Sequence, residues 1–325
     1  MYNHIQVKWL RQIQWAFLIV LALISLFIGV TEVALLGVLK LDPEQIRILL
    51  ISRVPRLISI VITGSSLAIA GIIMQSITRN RFVSPTTAGT MEWCRLGVMM
   101  AILVFPDIPP FLRVAAAFLV SLFGTALFLA IVERIQSRNI IFVPLAGMML
   151  GGVVNAITLF FAYGNDVMQN MASWLQGNFS LVIKDSYELL HISVPFMILC
   201  YLYADRFTIV GMGKTMSTGL GLNHAGVVRV GLLIVAVISS VTIVGVGNIP
   251  FLGLVVPNLV RIYQGDSLKN TLFDTAWLGA VLVLVCDILG RLIIYPYEIP
   301  IGIIFSVVGG GLFLYLLFRR KSLAS

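Results

Sequence analysis

Nine stretches of this chain run for about twenty residues or more with hardly a charge in them. They lie near 14–36, 54–77, 86–105, 112–134, 140–163, 188–207, 229–248, 272–293 and 300–318. Such lengths match the hydrocarbon core of a bilayer when coiled as α-helix. The runs are continuous rather than alternating, which argues against a transmembrane β-barrel. Of 325 residues, 59% are hydrophobic and 11% charged, against about 25% charged in a soluble domain. A water-soluble fold could not hide that much apolar surface. A tenth apolar segment, "GNIPFLGLVVPNLVRIYQG" (Gly247–Gly265), is broken by Pro250, Gly253 and Pro257. It predicts a turn followed by a short, partly inserted helix. The expected fold is therefore all-α: a polytopic membrane protein of about ten helices, forming one transmembrane domain over 1–325. Residues 14–36 are too long a run for a cleaved signal peptide and lack an A-x-A-like site, so they are expected to stay as the first span.

Basic residues give the orientation. Lys8 and Arg11 precede the first span, and Arg319, Arg320 and Lys321 follow the last; Arg79, Arg81, Arg134, Arg138, Arg206, Lys214 and Lys269 fall in loops on that same side. Cytoplasmic loops are enriched in Lys and Arg, so both termini are expected inside a cell membrane. The formal net charge of +8 is accounted for by these flanks and implies no nucleic-acid partner. Arg53, Arg56 and Arg291 then fall on the outer side, against the rule. Two readings stay open for them: anchors at lipid headgroups, or a docking site. Pro55, between the first two, is expected to stiffen a helix start near residue 54.

A faint internal echo accompanies this topology. "RVPRLISIVITGSSLAIAG" is followed by the Pro-broken "NRFVSPTTAG"; much later "RVGLLIVAVISSVTIVGVG" is followed by "NIPFLGLVVP". An odd number of crossings separates the two, as in the inverted repeats of transporters.

Few residues carry chemistry. "GMGKT" (Gly211–Thr215) resembles the end of a phosphate-binding loop, but Thr208 stands where the first glycine is required and no strand precedes it. Cys94, Cys200 and Cys286 lie inside apolar runs with no metal-ligand spacing and read as core residues. HExxH, GxSxG and paired membrane-embedded aspartates are missing, which disfavours a polytopic enzyme. His4, His191 and His224 sit in loops or near a span end. Intramembrane charges form two helical-face pairs, Glu92 with Arg95 and Asp287 with Arg291. Asp287 or Glu92 could serve a proton-coupled secondary transporter; the plainer reading of Asp287 is a counter-ion that holds Arg291. Glycines at Gly147–Gly151 and Gly309–Gly311 permit close helix packing.

Taken in order, "RVPRL" with "GSSLAIAG" and Gln75, "RNRFVSP", "LGLN", "GNIPFLGLVVPNLVR", "LGA…CDILGR" and "EIPIGI" resemble one family over about residues 50–320. It comprises the membrane permeases of ATP-driven importers for ferric siderophores, haem and cobalamin. The resemblance implies a ten-helix subunit without catalytic site, cofactor or protein-held metal. It also implies a second permease copy, identical or paralogous, two cytoplasmic ATPases and an extracytoplasmic binding protein. Arg53, Arg56 and Arg291 match the positions that receive acidic residues of the binding protein. The cytoplasmic loop, about 207–228, matches the element that seats on the ATPase, through Gly213, Lys214, Thr215, Ser217, Leu220 and Gly221. The fifth and tenth helices are expected to line the pathway, with Asn155, Thr158 and Ser306 as polar contacts.

Several positions depart from the family pattern. Lys214 and Thr215 replace an acidic pair, and Ser217 an alanine; Asn80-Arg81-Phe82, Pro257-Asn258 and Gly309-Gly310-Gly311 replace Asn-Pro-Leu, Pro-His and Gly-Ala-Pro. "NRFVSPTTAGT" is similar to the branch handling catecholate-type siderophores such as petrobactin or anguibactin.

Overall fold

The computed structural model describes residues 4–29, 42–134, 142–180, 182 and 187–322, and among these every regular element is helical. Helix α1 is His4–Phe27. Helix α2, Pro43–Ile48, passes through a π-helical turn at Leu49–Arg53 into α3, Val54–Ile77. Then come α4 (Thr90–Val104), α5 (Pro110–Arg134), α6 (Phe142–Gly164), α7 (Met168–Leu175), α8 (Ser193–Leu202) and α9 (Ala204–Gly211). The remaining helices are α10 (Lys214–Gly219), α11 (His224–Val246), α12 (Leu252–Gln264), α13 (Leu268–Leu292) and α14 (Ile301–Ser322).

Each of the ten apolar segments contains helix among its described residues. Length is another matter. Five helical stretches, Pro43–Ile77, Ala146–Gly164, His224–Val246, Leu268–Leu292 and Ile301–Phe318, are long and apolar enough to cross a bilayer. A sixth arises if the stretches on either side of Tyr203, bent by 65°, count as one span. The apolar stretches Arg11–Phe27 and Phe111–Gly124 are shorter, so helix length alone does not deliver the expected ten crossings.

The helix carrying Arg53 and Arg56 does not begin near residue 54. It runs from Pro43, with Asp42 capping the first turn through Glu44 N–H, and is continuous to Ile77. Pro55 lacks an N–H and its ring crowds the carbonyl one turn earlier. The backbone widens there instead of stopping: Val54 N–H reaches back to Leu49 O, the five-residue step of a π-turn. Pro55 thus sits inside the helix rather than at its start.

Helix α3 is the central post, buried on nearly every side and antiparallel to α13. Small residues set that contact. A Cβ at Gly64 would lie 2.6 Å from Gly279 O, and Ser65 Oγ donates to Ala276 O at 3.0 Å. Farther along α3, Gly71 meets the backbone of Gly253 at the start of α12, with no room for a side chain. In a lipid solvent, helices gain little from excluding apolar surface, and close backbone approach of this kind supplies the packing.

The two echoing segments share a local device. After α3 the chain breaks and restarts α4 from Gly89, φ 80°; after α11 it restarts α12 from Phe251, φ 65°. Both helices open from a left-handed residue. Around the second break three irregular segments join backbone to backbone: Asn178 N–H to Val246 O (2.9 Å), Asn248 N–H to Leu175 O (3.0 Å) and Gly302 N–H to Gly177 O (3.1 Å). Non-helical backbone at this depth is tolerated because protein satisfies it.

Candidate functional site

Three places bring polar side chains together. The first is where α3 and α13 meet near Arg56 and Arg291. Arg56 is gripped by two carboxylates: Nη2 is 2.8 Å from Asp287 Oδ1, and Nη1 is 2.8 Å from Glu298 Oε2. The other oxygen of Asp287 lies 2.6 Å from Arg291 Nη2, one helical turn on. Arg291 also donates to Ser25 O and Ile28 O at the end of α1, and Arg53 donates to the same Ile28 O at 2.8 Å. All three arginines and Asp287 are buried. The predicted outer cations are therefore brought into one cluster, but they point inward and bond to protein groups. Arginine's planar fork allows this, because one guanidinium can serve two carboxylates and several carbonyls at once. Asp287, with one oxygen on each arginine, stands as the counter-ion of the plainer reading. Around the cluster Leu292, Ile293, Tyr295 and Tyr297 are exposed.

The second place is a cavity of about 430 Å³. It is bordered by α4 (Met91, Arg95), α7 (Met171, Leu175), the α11–α12 break (Asn248, Pro250) and the start of α14 (Gly302, Ser306). Arg95 Nη1 donates to Asn155 Oδ1 at 3.1 Å. Of the three expected pathway residues, Ser306 borders the cavity and Asn155 reaches it through Arg95. Thr158 does not: it is fully buried, and its hydroxyl donates to Val154 O at 2.8 Å within its own helix. A threonine in an apolar helix satisfies its hydroxyl on the preceding turn, which its spacing from Asn155 could not reveal. Helices α6 and α14 each leave large apolar side chains uncovered, among them Met149, Phe160 and Val307.

The third place is the short helix α10. Gly213, at φ 106°, opens it against the Arg79 side chain, and Gly221, at φ 77°, turns the chain toward α11. Asn223 caps α11 by accepting from Gly226 N–H at 3.0 Å. Ser217 is buried, its Oγ 2.7 Å from His224 Nδ1, so this serine braces α10 against the start of α11. Lys214 and Thr215 are exposed. Three large apolar side chains are exposed too: Met212 (55%), Met216 (56%) and Leu220 (61%). Met216 lies on α10 and the other two flank its ends, and all three line a hollow of about 500 Å³. The nearby motif residues are structural ties: Arg261 donates to Gln75 Oε1 and Ser76 Oγ, Asn258 to Arg81 O, and Arg81 pairs with Asp266. Among the described residues no group of three or more His, Cys, Asp or Glu could hold a metal ion.

Residues 17–319 match the FecCD transport family. The chain belongs to that family. Within it, this member is 52% identical over 307 residues to the petrobactin import system permease protein of Bacillus subtilis, covering 94% of this chain and 97% of the relative. It is 39% identical to the ferric-anguibactin transport system permease protein of Vibrio anguillarum, over 91% of this chain and 94% of that one. A solved structure, described as an inward-facing conformation of a metal-chelate type ABC transporter, superposes with a TM-score of 0.84 at 22% identity. It covers 94% of this chain and 97% of its own. Two of the positions singled out in the sequence have partners here: Asn258 ties α12 to Arg81, and Ser217 meets His224.

Proposed function

We propose that this FecCD protein is the membrane-spanning permease of an ATP-driven importer for a ferric siderophore, of the catecholate-bearing kind its relatives are named for. The 52% identity to a petrobactin permease along nearly the full length of both chains carries the reading. Both termini face the cytoplasm in a cell membrane, and the whole chain acts as one permease domain. Two permease subunits form the pathway between their α6 and α14 faces. ATP is hydrolysed by separate cytoplasmic subunits, which seat on α10 through Met212, Met216 and Leu220, with Lys214 and Thr215 as polar contacts. Gly213 and Gly221 set the angle of that helix, and Ser217 holds it.

On the outer side, an acidic binding protein docks over Arg53, Arg56 and Arg291. In the present arrangement Glu298 occupies one carboxylate position on Arg56, and its side chain is 19% exposed against 3% for Asp287. An incoming carboxylate therefore displaces Glu298, while Asp287 stays as the permanent counter-ion. Bidentate carboxylate recognition by arginine suits such an exchange.

The test is reconstitution in liposomes. Uptake of iron-55 ferric petrobactin is expected only when permease, ATPase subunits and loaded binding protein are all present, and it should be indifferent to a proton uncoupler. Uptake by this chain alone, abolished by the uncoupler, would overturn the proposal.

A further inference from the structure

Arg95 is an intramembrane cation that takes no part in the docking cluster or the cytoplasmic contacts. It stands in the second turn of α4 and borders the cavity beside the α11–α12 break. Among the described residues it has no carboxylate partner; its hydrogen bond goes to the neutral Asn155. Glu92, one turn before it, also faces α6, with Oε2 against Gly151, 3.1 Å from where a Cβ would stand, but forms no ion pair with Arg95. A guanidinium stays charged at any physiological pH, and within a membrane it needs water, a counter-ion or a polar cavity. Contrast Arg56 and Arg291, each held on carboxylate.

The cavity supplies more than room. Asn248 Oδ1 is buried beside it without a partner, and Gln176 and Ser306 also border it. Ser306 donates its own hydroxyl proton to Gly302 O, leaving its oxygen as an acceptor. The site therefore holds one fixed positive charge, amide groups able to donate or accept, and a largely apolar wall of Met91, Met171 and Leu175. The charge of Arg95 and the apolar wall suit a bulky anion with aromatic or aliphatic arms, while the acceptor oxygens of Asn248 and Ser306 suit N–H or O–H groups at its periphery.

We propose that Arg95, positioned by Asn155, is the cargo-recognising residue of the pathway and receives the negatively charged core of a ferric chelate. The proposal rests on the importer reading and deepens it. Iron(III) held by dianionic bidentate oxygen ligands carries a net negative core, so a lone guanidinium at mid-pathway favours its passage over that of a neutral or cationic solute. Arg95 makes no bond to iron; it offers N–H donors to ligand oxygens and is released as the cavity opens to the other side.

The experiment uses the full importer in liposomes with iron-55 ferric petrobactin, comparing wild type, Arg95→Gln and Arg95→Lys. Glutamine retains a hydrogen-bonding amide near Asn155 but removes the charge; lysine keeps the charge. Uptake in Arg95→Gln is expected to fall about tenfold or more, as loss of a charge-assisted contact would give, with Arg95→Lys between it and wild type. Capture of the binding protein and the ATP hydrolysis it stimulates should match wild type in both, which excludes misfolding as the cause. Wild-type uptake in Arg95→Gln, or equal loss in both variants, would overturn the role of charge. A wild-type importer that hydrolyses ATP on capture yet moves no ferric petrobactin would overturn the functional reading itself, and this proposal with it.

Discussion

Among single residues, Asp287 and Glu298 show how burial separates two carboxylates on the same arginine. Asp287 lies between Arg56 and Arg291 with its side chain 3% exposed. Replacing it with asparagine would leave two buried guanidiniums short of a charge, and breaking such a buried pair costs about 3–5 kcal/mol. Asp287→Asn is expected to lower the thermal midpoint in detergent sharply. Glu298→Gln should barely move it, because that carboxylate is partly solvated and Arg56 keeps Asp287. If Glu298 holds the place of an incoming acidic residue, Glu298→Gln should instead tighten capture of the loaded binding protein by permease in lipid nanodiscs. Unchanged or weaker capture would remove Arg56 from the docking surface. Arg56, Arg291 and Asp287 could be picked out from sequence as exceptions to local rules. Their inward grip could not, because Arg56 meets partners 231 and 242 residues away and Arg291 finds carbonyls 263 and 266 residues back.

At the level of helices, continuous apolar runs were a reliable guide and punctuation less so. All ten apolar segments contain helix among their described residues, and the Pro- and Gly-broken one gave the 13-residue α12. Pro55 misled, since a proline can be absorbed by a π-turn when packing holds the helix on both sides. Met212, Met216 and Leu220, on and beside α10, did not stand out, since in an apolar chain three more apolar residues give no contrast. Their significance comes from exposure on a loop helix where neighbours are polar. Met216→Glu combined with Leu220→Glu should leave the permease folded, because neither side chain is buried. It should abolish copurification with the ATPase subunits. Retained copurification would move the contact off α10.

The whole molecule has a polar end at either side of an apolar middle. Arg81–Asp266 and Lys269–Asp205 sit at one, Tyr295, Tyr297 and the arginine cluster at the other. The orientation proposed from basic loops assigns the first end to the cytoplasm. In intact cells, a cysteine at Tyr297 should react with a membrane-impermeant maleimide, and one at Leu220 only after permeabilisation; the reverse pattern would invert the topology. Between those ends, α3 touches α13 and α12 through Gly64, Gly279, Gly71 and Gly253, with main chain pressed on main chain. At those four glycines no side chain stands in the seam to re-pack. The three helices are therefore expected to tilt as a single lever, with any switching of access bending at the joints around it, such as the sharp corner at Tyr203.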